Sequence, residues 1–198
     1  MAKIRMATPE DAGAIADIYM LYVRDTAISF ETVPPSAKEM RSRLTTTLAQ
    51  LPWLVITDRE RVKGYAYASP HRARDAYRWC IDVSLYLDRS LHRRGHGRRI
   101  YTALLNLLGA QGYINAYAAI ALPNPASVGL HEAMGFTAVG VFHRVGFKNG
   151  TWWDVGWWHR LLADLPSRPK QPRPWSDLPV HAINSALEAH TGSWYEER

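Results

Sequence analysis

Between Asp82 and Leu108 the chain reads DVSLYLDRSLHRRGHGRRIYTALLNLL. The stretch opens as a β-prone apolar run (Val83, Leu85, Leu87). It turns through Arg93-Arg94-Gly95-His96-Gly97-Arg98 and continues with Ile100, Tyr101, Leu104, Leu105 and Leu108 on one helical face. A strand that passes through two glycines into an amphipathic helix must pack both elements against one core. The turn is left at the surface, with unpaired N–H groups at the helix start. Glycine lets a ligand approach the backbone, and the helix dipole favours an anion there.

The turn lacks the Gly-Lys-Ser/Thr ending of a phosphate-cradling P-loop. The third glycine of a dinucleotide turn would fall at Ile100. Two readings remain: a solvated basic turn, or the Q/R-x-x-G-x-G/A pyrophosphate loop of the GNAT acetyltransferases, which it resembles with His92 at the Gln/Arg position.

Around this unit the chain alternates helical and strand patterns. Lys3 to Met6 is a short strand. Thr8 caps a helix that has Pro9 at its first position, with Ala12, Ile15, Ala16, Tyr19, Tyr22 and Val23 as its apolar face. Ser36 to Glu39 is a capping box opening a second helix. Trp53 to Thr57 and Val62 to Ser69 form a hairpin, and Pro70 to Tyr77 a basic loop. The spacing predicts a central strand over Arg78 to Leu87 and another over Asn115 to Leu122. It predicts a short helix from Ala126 to Met134 and two last strands, Val139 to Val145 and Trp152 to Arg160. This is an α/β chain in the α+β sense, a mixed, mostly antiparallel sheet flanked by helices. Residues 1–165 form the domain. Residues 166–198 form a Pro-rich extension of irregular chain, with a short helix expected over Val180 to His190 and a docking role for Trp194 and Tyr195.

Charge narrows the ligand. The 198 residues carry a formal net charge of +6, which suits an anionic ligand such as CoA, or nucleic acid. One cysteine, Cys80, rules out an internal disulfide and fits a reducing cytoplasm. No apolar run is long enough to span a membrane. A metal-binding cluster is not expected.

Several further motifs resemble the phosphinothricin N-acetyltransferase branch of the GNAT family: Gly64-Tyr65-Ala66-Tyr67-Ala68-Ser69-Pro70, Arg72-Ala73-Arg74, Ala76-Tyr77-Arg78-Trp79, Asn124-Pro125-Ala126-Ser127, Leu130-His131-Glu132-Ala133-Met134-Gly135-Phe136 and Val145-Gly146-Phe147-Lys148. The resemblance runs from about Ile4 to about Leu161 and implies the GNAT fold, acetyl-CoA as cosubstrate, and attack of a substrate amine on the thioester. It assigns the acetyl-CoA site to Leu85, Tyr86 and Leu87, to the turn Arg93, Arg94, Gly95, His96, Gly97 and Arg98, and to Asn124 and Ser127. Asn124 and Ser127 also read as a turn and a helix cap.

Asp82 is a carboxylate inside an apolar strand, costly unless paired or functional, and it stands where the branch has a Glu. It is the expected base, acting directly or through water. His131 is the expected second acid–base group. Arg72, Arg74 and Tyr77 suit a small substrate bearing carboxylate and phosphinate, with Phe30 lining the same pocket. Ala121 replaces a glycine of relatives and narrows it. The four tryptophans Trp152, Trp153, Trp157 and Trp158 read as core and subunit packing, and the branch implies a homodimer.

The function expected is acetyl transfer from acetyl-CoA to the amine of a phosphinothricin-like amino acid, a resistance activity. Methionine sulfone, methionine sulfoximine or arsinothricin are rival substrates. A nucleic-acid module built on His92 to Arg99 is the rival from another class. It requires a broad basic face with exposed aromatics, whereas the helix after the turn is patterned for a core.

Overall fold

A computed structural model describes residues 2–188. Its order is β1 (Lys3–Met6), α1 (Ala12–Asp25), α2 (Ala37–Leu48), β2 (Trp53–Asp58), β3 (Arg61–Pro70), β4 (Cys80–Leu87), α3 (His96–Gln111), β5 (Asn115–Leu122), α4 (Pro125–Ala133), β6 (Thr137–Lys148), β7 (Thr151–Leu161) and α5 (Val180–Glu188). The strands form one seven-stranded sheet, β1-β2-β3-β4-β5-β7-β6. Every pairing is antiparallel except β4 with β5. The parallel pair needs a crossover, and α3 supplies it.

Alternation along the strands sorts side chains to two faces. Ile81 and Val83 of β4, Ala116, Ala118 and Ile120 of β5, and Trp158 of β7 join the α3 core with Ile100, Tyr101, Leu104, Leu105 and Leu108. The apolar face read from the sequence is thus the buried face of α3. On the other side Trp53, Val55 and Tyr65 pack with Ile15, Tyr19 and Val23 of α1 and Met40 and Leu44 of α2. Those two helices cover β2, β3 and the Tyr86 end of β4, where Tyr86 meets Tyr19 and Tyr22 at 5.0 and 5.1 Å. Asp82, Tyr117, Ala119, Ala121, Trp157 and His159 point to the same side but lie beyond the helices, as an uncovered floor.

The local signals hold. Thr8 N–H donates to Asp11 Oδ2 at 2.8 Å, and Glu39 N–H donates to Ser36 Oγ at 3.2 Å. Some boundaries move. The central strand begins at Cys80 rather than Arg78, because Asp75–Tyr77 is a 3-10 turn and Arg78 N–H still bonds Asp75 O at 3.1 Å. The fourth helix begins with Pro125 at its first position and ends at Ala133. β6 is longer than its apolar run because register shifts at Ala138/Gly140 and Phe142/Gly146 absorb the residues that break alternation.

Chain from the Pro-rich segment lies on the same body. Trp79 Nε1 donates to Lys170 O at 2.7 Å, and Gln111 Nε2 donates to Arg173 O at 2.8 Å. Trp175 Nε1 donates to Leu48 O at 2.7 Å. Leu178 and Ala186 belong to the α3 core. The helix starts at Val180 as expected, while its expected end at His190 and Trp194-Tyr195 lie outside the described residues.

Candidate active site

The parallel pairing of β4 and β5 covers only Cys80↔Asn115, Ile81↔Ala116 and Asp82↔Tyr117, although the strands run on to Leu87 and Leu122. Past Asp82 they splay. The edges facing the gap lack strand partners there, so their backbone groups are available to a ligand laid between them. Asp82 stands where the splay begins.

At the far end of β4 the chain enters the glycine turn. Arg93 has φ +56° and Gly95 φ +75°. With Gly95 as the cap of α3, and Arg99 N–H making a bond back to Gly95 O at 3.1 Å, the N–H groups of His96, Gly97 and Arg98 have no acceptor within the helix. A Cβ placed on Gly95 would meet nothing within 4 Å, so the approach to these donors is open. Gly97 differs: a Cβ there would stand 3.3 and 3.4 Å from Leu85 and Leu87 side-chain carbons, so this glycine lets α3 pack on the strand. Arg98 Nη2 donates to Ala133 O at 2.9 Å, tying the turn to the end of α4. Arg93 and Arg94 are exposed. Unpaired backbone donors at an open turn, beside cationic side chains, fit the pyrophosphate of CoA.

Of the three strand residues expected near acetyl-CoA, Leu85 and Leu87 turn their side chains to Gly97, and Tyr86 packs half-buried against α1. Only their backbone can face the splay. The Leu87 carbonyl already accepts from Tyr22 Oη at 2.6 Å. Across the gap, Asn124 Oδ1 accepts from Ser127 N–H at 3.2 Å and caps α4. The structural role of this pair is realised, and it stands at the other lip of the gap.

Asp82 is paired. Its Oδ1 lies 2.6 Å from His71 Nδ1, and His71 stacks on Tyr117 with ring centroids 4.5 Å apart. Burial pushes the Asp82 carboxyl up from its ordinary range, and the His71 hydrogen bond pulls it partly back. Tyr77 meets the same imidazole edge-on at 6.0 Å, and the Arg72 guanidinium lies 5.9 Å over the Trp157 ring. Arg74 is exposed on the loop, and Ala121 sits on the floor opposite Val155. Phe30 packs on Gly146 of β6, so closely that a Cβ on that glycine would overlap the ring. The Phe30 loop is held by Lys148, whose Nζ donates to Val23 O and Ser29 O, both at 2.6 Å.

His131 lies on α4, bonded to Ser127 at the other lip of the gap. It is 6% exposed, with Nε2 2.9 Å from Tyr101 Oη and Nδ1 2.7 Å from Ser127 O. Both nitrogens are in use.

The sequence reading missed His71, Tyr117 and His159, and it assigned Trp157 to packing. Trp157 lies instead on the floor, 5.8 Å from His71 with Nε1 buried and unpartnered; Trp158 alone of the four is in the α3 core. Nothing in local pattern marks His71. Its meeting with Asp82 depends on the β3/β4 register, which sets Ser69 opposite Asp82.

A family model described as an acetyltransferase (GNAT) domain matches residues 4–157. The chain belongs to the GNAT acetyltransferases. A phosphinothricin N-acetyltransferase of Streptomyces viridochromogenes is 40% identical over 172 residues, covering 87% of this chain and 93% of that protein. An L-methionine sulfoximine/L-methionine sulfone acetyltransferase of Pseudomonas aeruginosa is 31% identical, covering 85% and 99%. Among solved structures, a GNAT phosphinothricin acetyltransferase of Sinorhizobium meliloti in complex with acetyl-CoA superposes with TM-score 0.83 at 33% identity, covering 89% of this chain and 97% of that one. The splay of β4 from β5 and the turn before α3 lie along one cleft, with the uncovered floor beside its closed end.

Proposed function

We propose that the chain transfers the acetyl group of acetyl-CoA to the amine of a small, anionic amino-acid analogue of the phosphinothricin type. The observation that carries this reading is the splay beyond Asp82 and Tyr117, with a paired carboxylate at its closed end and the open glycine turn along it. The 40% identity to a phosphinothricin N-acetyltransferase supports the substrate class.

Acetyl-CoA supplies an acyl group activated as a thioester. The N–H groups of His96, Gly97 and Arg98, with Arg93 and Arg94, would hold its pyrophosphate. The backbone of Leu85 to Leu87, with Asn124 and Ser127, would hold its pantetheine arm. Arg72, Arg74 and Tyr77 reach over the floor to the acceptor's acidic groups, while Phe30 and Ala121 bound its pocket. The Asp82–His71 pair draws the ammonium proton away, and a β4 N–H stabilises the carbonyl oxygen as the amine adds. His131 fixes Tyr101 and α4 beside the cleft.

Methionine sulfone or sulfoximine is the second reading. The Ala121 methyl favours it, since it trims the pocket, as does the 31% identical relative. The exposed apolar side chains of β6 and the start of β7, Val141, Phe142, Val145, Phe147 and Trp152, support a homodimer through this edge. The single cysteine supports a cytoplasmic setting. None of the described helices is long and apolar enough to cross a membrane.

The test is CoA release across a panel of amines. Turnover with phosphinothricin well above that with ordinary amino acids supports the reading. Turnover confined to the sulfone and sulfoximine selects the second, and none with any small amine removes both.

A further inference from the structure

The carboxylate at the closed end of the cleft does not stand alone. Asp82 Oδ1 is 2.6 Å from His71 Nδ1. An ionised carboxylate only accepts, so Nδ1 carries the hydrogen and donates, leaving Nε2 with the lone pair of a neutral ring. The ring is fixed on other sides by Tyr117, stacked at 4.5 Å and 20°, by Trp157 edge-on at 5.8 Å and by Tyr77 at 6.0 Å. Arg72 Nη1 donates to the His71 carbonyl at 3.2 Å. Nε2 has no hydrogen-bond partner among the described residues and is not sealed from solvent. A lone pair is therefore held over the floor by a rigid aromatic cage.

We infer that His71 is the catalytic base that takes the substrate's proton at Nε2, and that Asp82 is a positioning residue that sets the ring's tautomer and stabilises the imidazolium. The inference rests on the acetyl-transfer reading above. The substrate arrives as an ammonium. One N–H proton passes to His71 Nε2, giving an imidazolium paired with the Asp82 carboxylate and a free amine. The amine nitrogen forms a bond to the acetyl carbon as the carbon–sulfur bond breaks. The nitrogen's surplus proton goes to the departing sulfur, and His71 returns its own proton to solvent. The sum is ammonium plus thioester giving amide, thiol and one proton.

The chemistry favours the pair over the carboxylate alone. Asp82 Oδ1 is already engaged by Nδ1, whereas Nε2 is open over the floor, so the imidazole is the group placed to meet an incoming ammonium. The charged or titratable groups facing the ring are Asp82 from β4, Tyr77 and Arg72 from the loop, and Tyr117 from β5. His159 lies behind Tyr117 at 4.8 Å, and Cys80 at the start of β4.

The test joins kinetics to a readout on the protein without ligand. In protein labelled with 15N at histidine, His71 should show the Nδ1–H tautomer, a preference that Asp82→Asn should weaken, because the acceptor-only carboxylate is lost. His71→Ala should lower kcat by about 10²–10³-fold and remove the acidic limb of the kcat/KM profile. Acetyl-CoA affinity by calorimetry should stay within about twofold, and added imidazole should restore part of the rate. Asp82→Asn should keep the limb but shift it to lower pH. His71→Gln, which retains a donor toward Asp82, serves if the alanine variant unfolds. A His71→Ala or His71→Gln enzyme with near wild-type rate and the same acidic limb overturns the inference and returns the base role to Asp82. So does a His71 tautomer that ignores Asp82→Asn. Wild-type protein that acetylates no amine overturns the acetyl-transfer reading, and the inference with it, an outcome told apart by the wild-type assay alone.

Discussion

Tyr101 Oη and His131 Nε2 lie 2.9 Å apart, joining α3 to α4, and the other ring nitrogen is 2.7 Å from the Ser127 carbonyl. Nδ1–H donates to Ser127 and Nε2 accepts from Tyr101, an arrangement that only the neutral ring satisfies. Burial is the main cause holding the His131 pKa below its ordinary value, with the Ser127 bond opposing it.

That relationship sets a pH dependence of stability. As pH falls, the unfolded chain binds the proton first, near pH 6.5, while the folded ring stays neutral to lower pH. The contribution is therefore complete above that pH and is lost as pH falls toward the folded value. His131→Gln should cost about 1–3 kcal/mol at neutral pH and flatten part of the decline on acidification. His96 and His159, which burial lowers in the same direction, add to the decline. Urea unfolding across that range checks this. Parallel curves for wild type and variant would show that His131 does not carry the effect.

Lys148 links β6 to the loop that bears Phe30, through two bonds of 2.6 Å to the Val23 and Ser29 carbonyls. Lys148→Met keeps the stem and deletes both bonds. Stability should fall by about 2–4 kcal/mol, since two buried carbonyls lose a charged donor. The amine KM should rise several-fold with acetyl-CoA affinity unchanged. The measurement pairs denaturant unfolding with calorimetry. A variant that loses stability but keeps its amine KM would detach the loop from the acceptor pocket.

The two glycines of the turn should fail differently. Gly95 has φ +75° and open space at its missing Cβ, so Gly95→Val strains the backbone by about 1–2 kcal/mol and fills the approach to the helix donors. Acetyl-CoA binding should drop by more than about tenfold, equivalent to 1.4 kcal/mol. Gly97→Val instead pushes α3 off Leu85 and Leu87, and its first effect should be on melting temperature. Equal acetyl-CoA affinity in wild type and a folded Gly95→Val protein would argue against pyrophosphate binding here.

Arg72 and Arg74 bear on substrate charge. Arg72 is already oriented over Trp157 and bonded to the His71 carbonyl, whereas Arg74 extends from the loop at the cap of the 3-10 turn. If both meet anionic groups, a substrate with two of them loses more on truncation than a neutral sulfone, which retains only its carboxylate. Each charge-assisted bond is worth roughly 1.5–3 kcal/mol, about tenfold to a hundredfold. Arg72→Ala or Arg74→Ala should lower kcat/KM for phosphinothricin more than for methionine sulfone, and lysine should restore it only in part. A ratio of the two values that does not move withdraws the preference for a doubly anionic acceptor.

What the sequence alone determined is local in origin. The caps at Thr8 and Ser36 are set within three or four residues. The amphipathic stripe of α3 and the apolar strand before it follow from side-chain period. The turn at Gly95 follows from the need for positive φ. These features sufficed for the fold class and for the open glycine turn, and Asp82 was visible because a carboxylate in an apolar strand needs a partner. Which partner it has was decided only by tertiary structure. His71 reaches Asp82 because β3 and β4 pair with Ser69 opposite Asp82, and Tyr117 supports the ring because β4 and β5 pair in parallel before they splay. Trp157 joins the floor and Trp158 the core by strand alternation, a one-residue distinction that a run of paired tryptophans cannot resolve. The same holds for His131, whose two nitrogens find Tyr101 and Ser127 only when α4 docks on α3. Register and docking bring together residues distant in sequence, and no local propensity encodes which of them will meet.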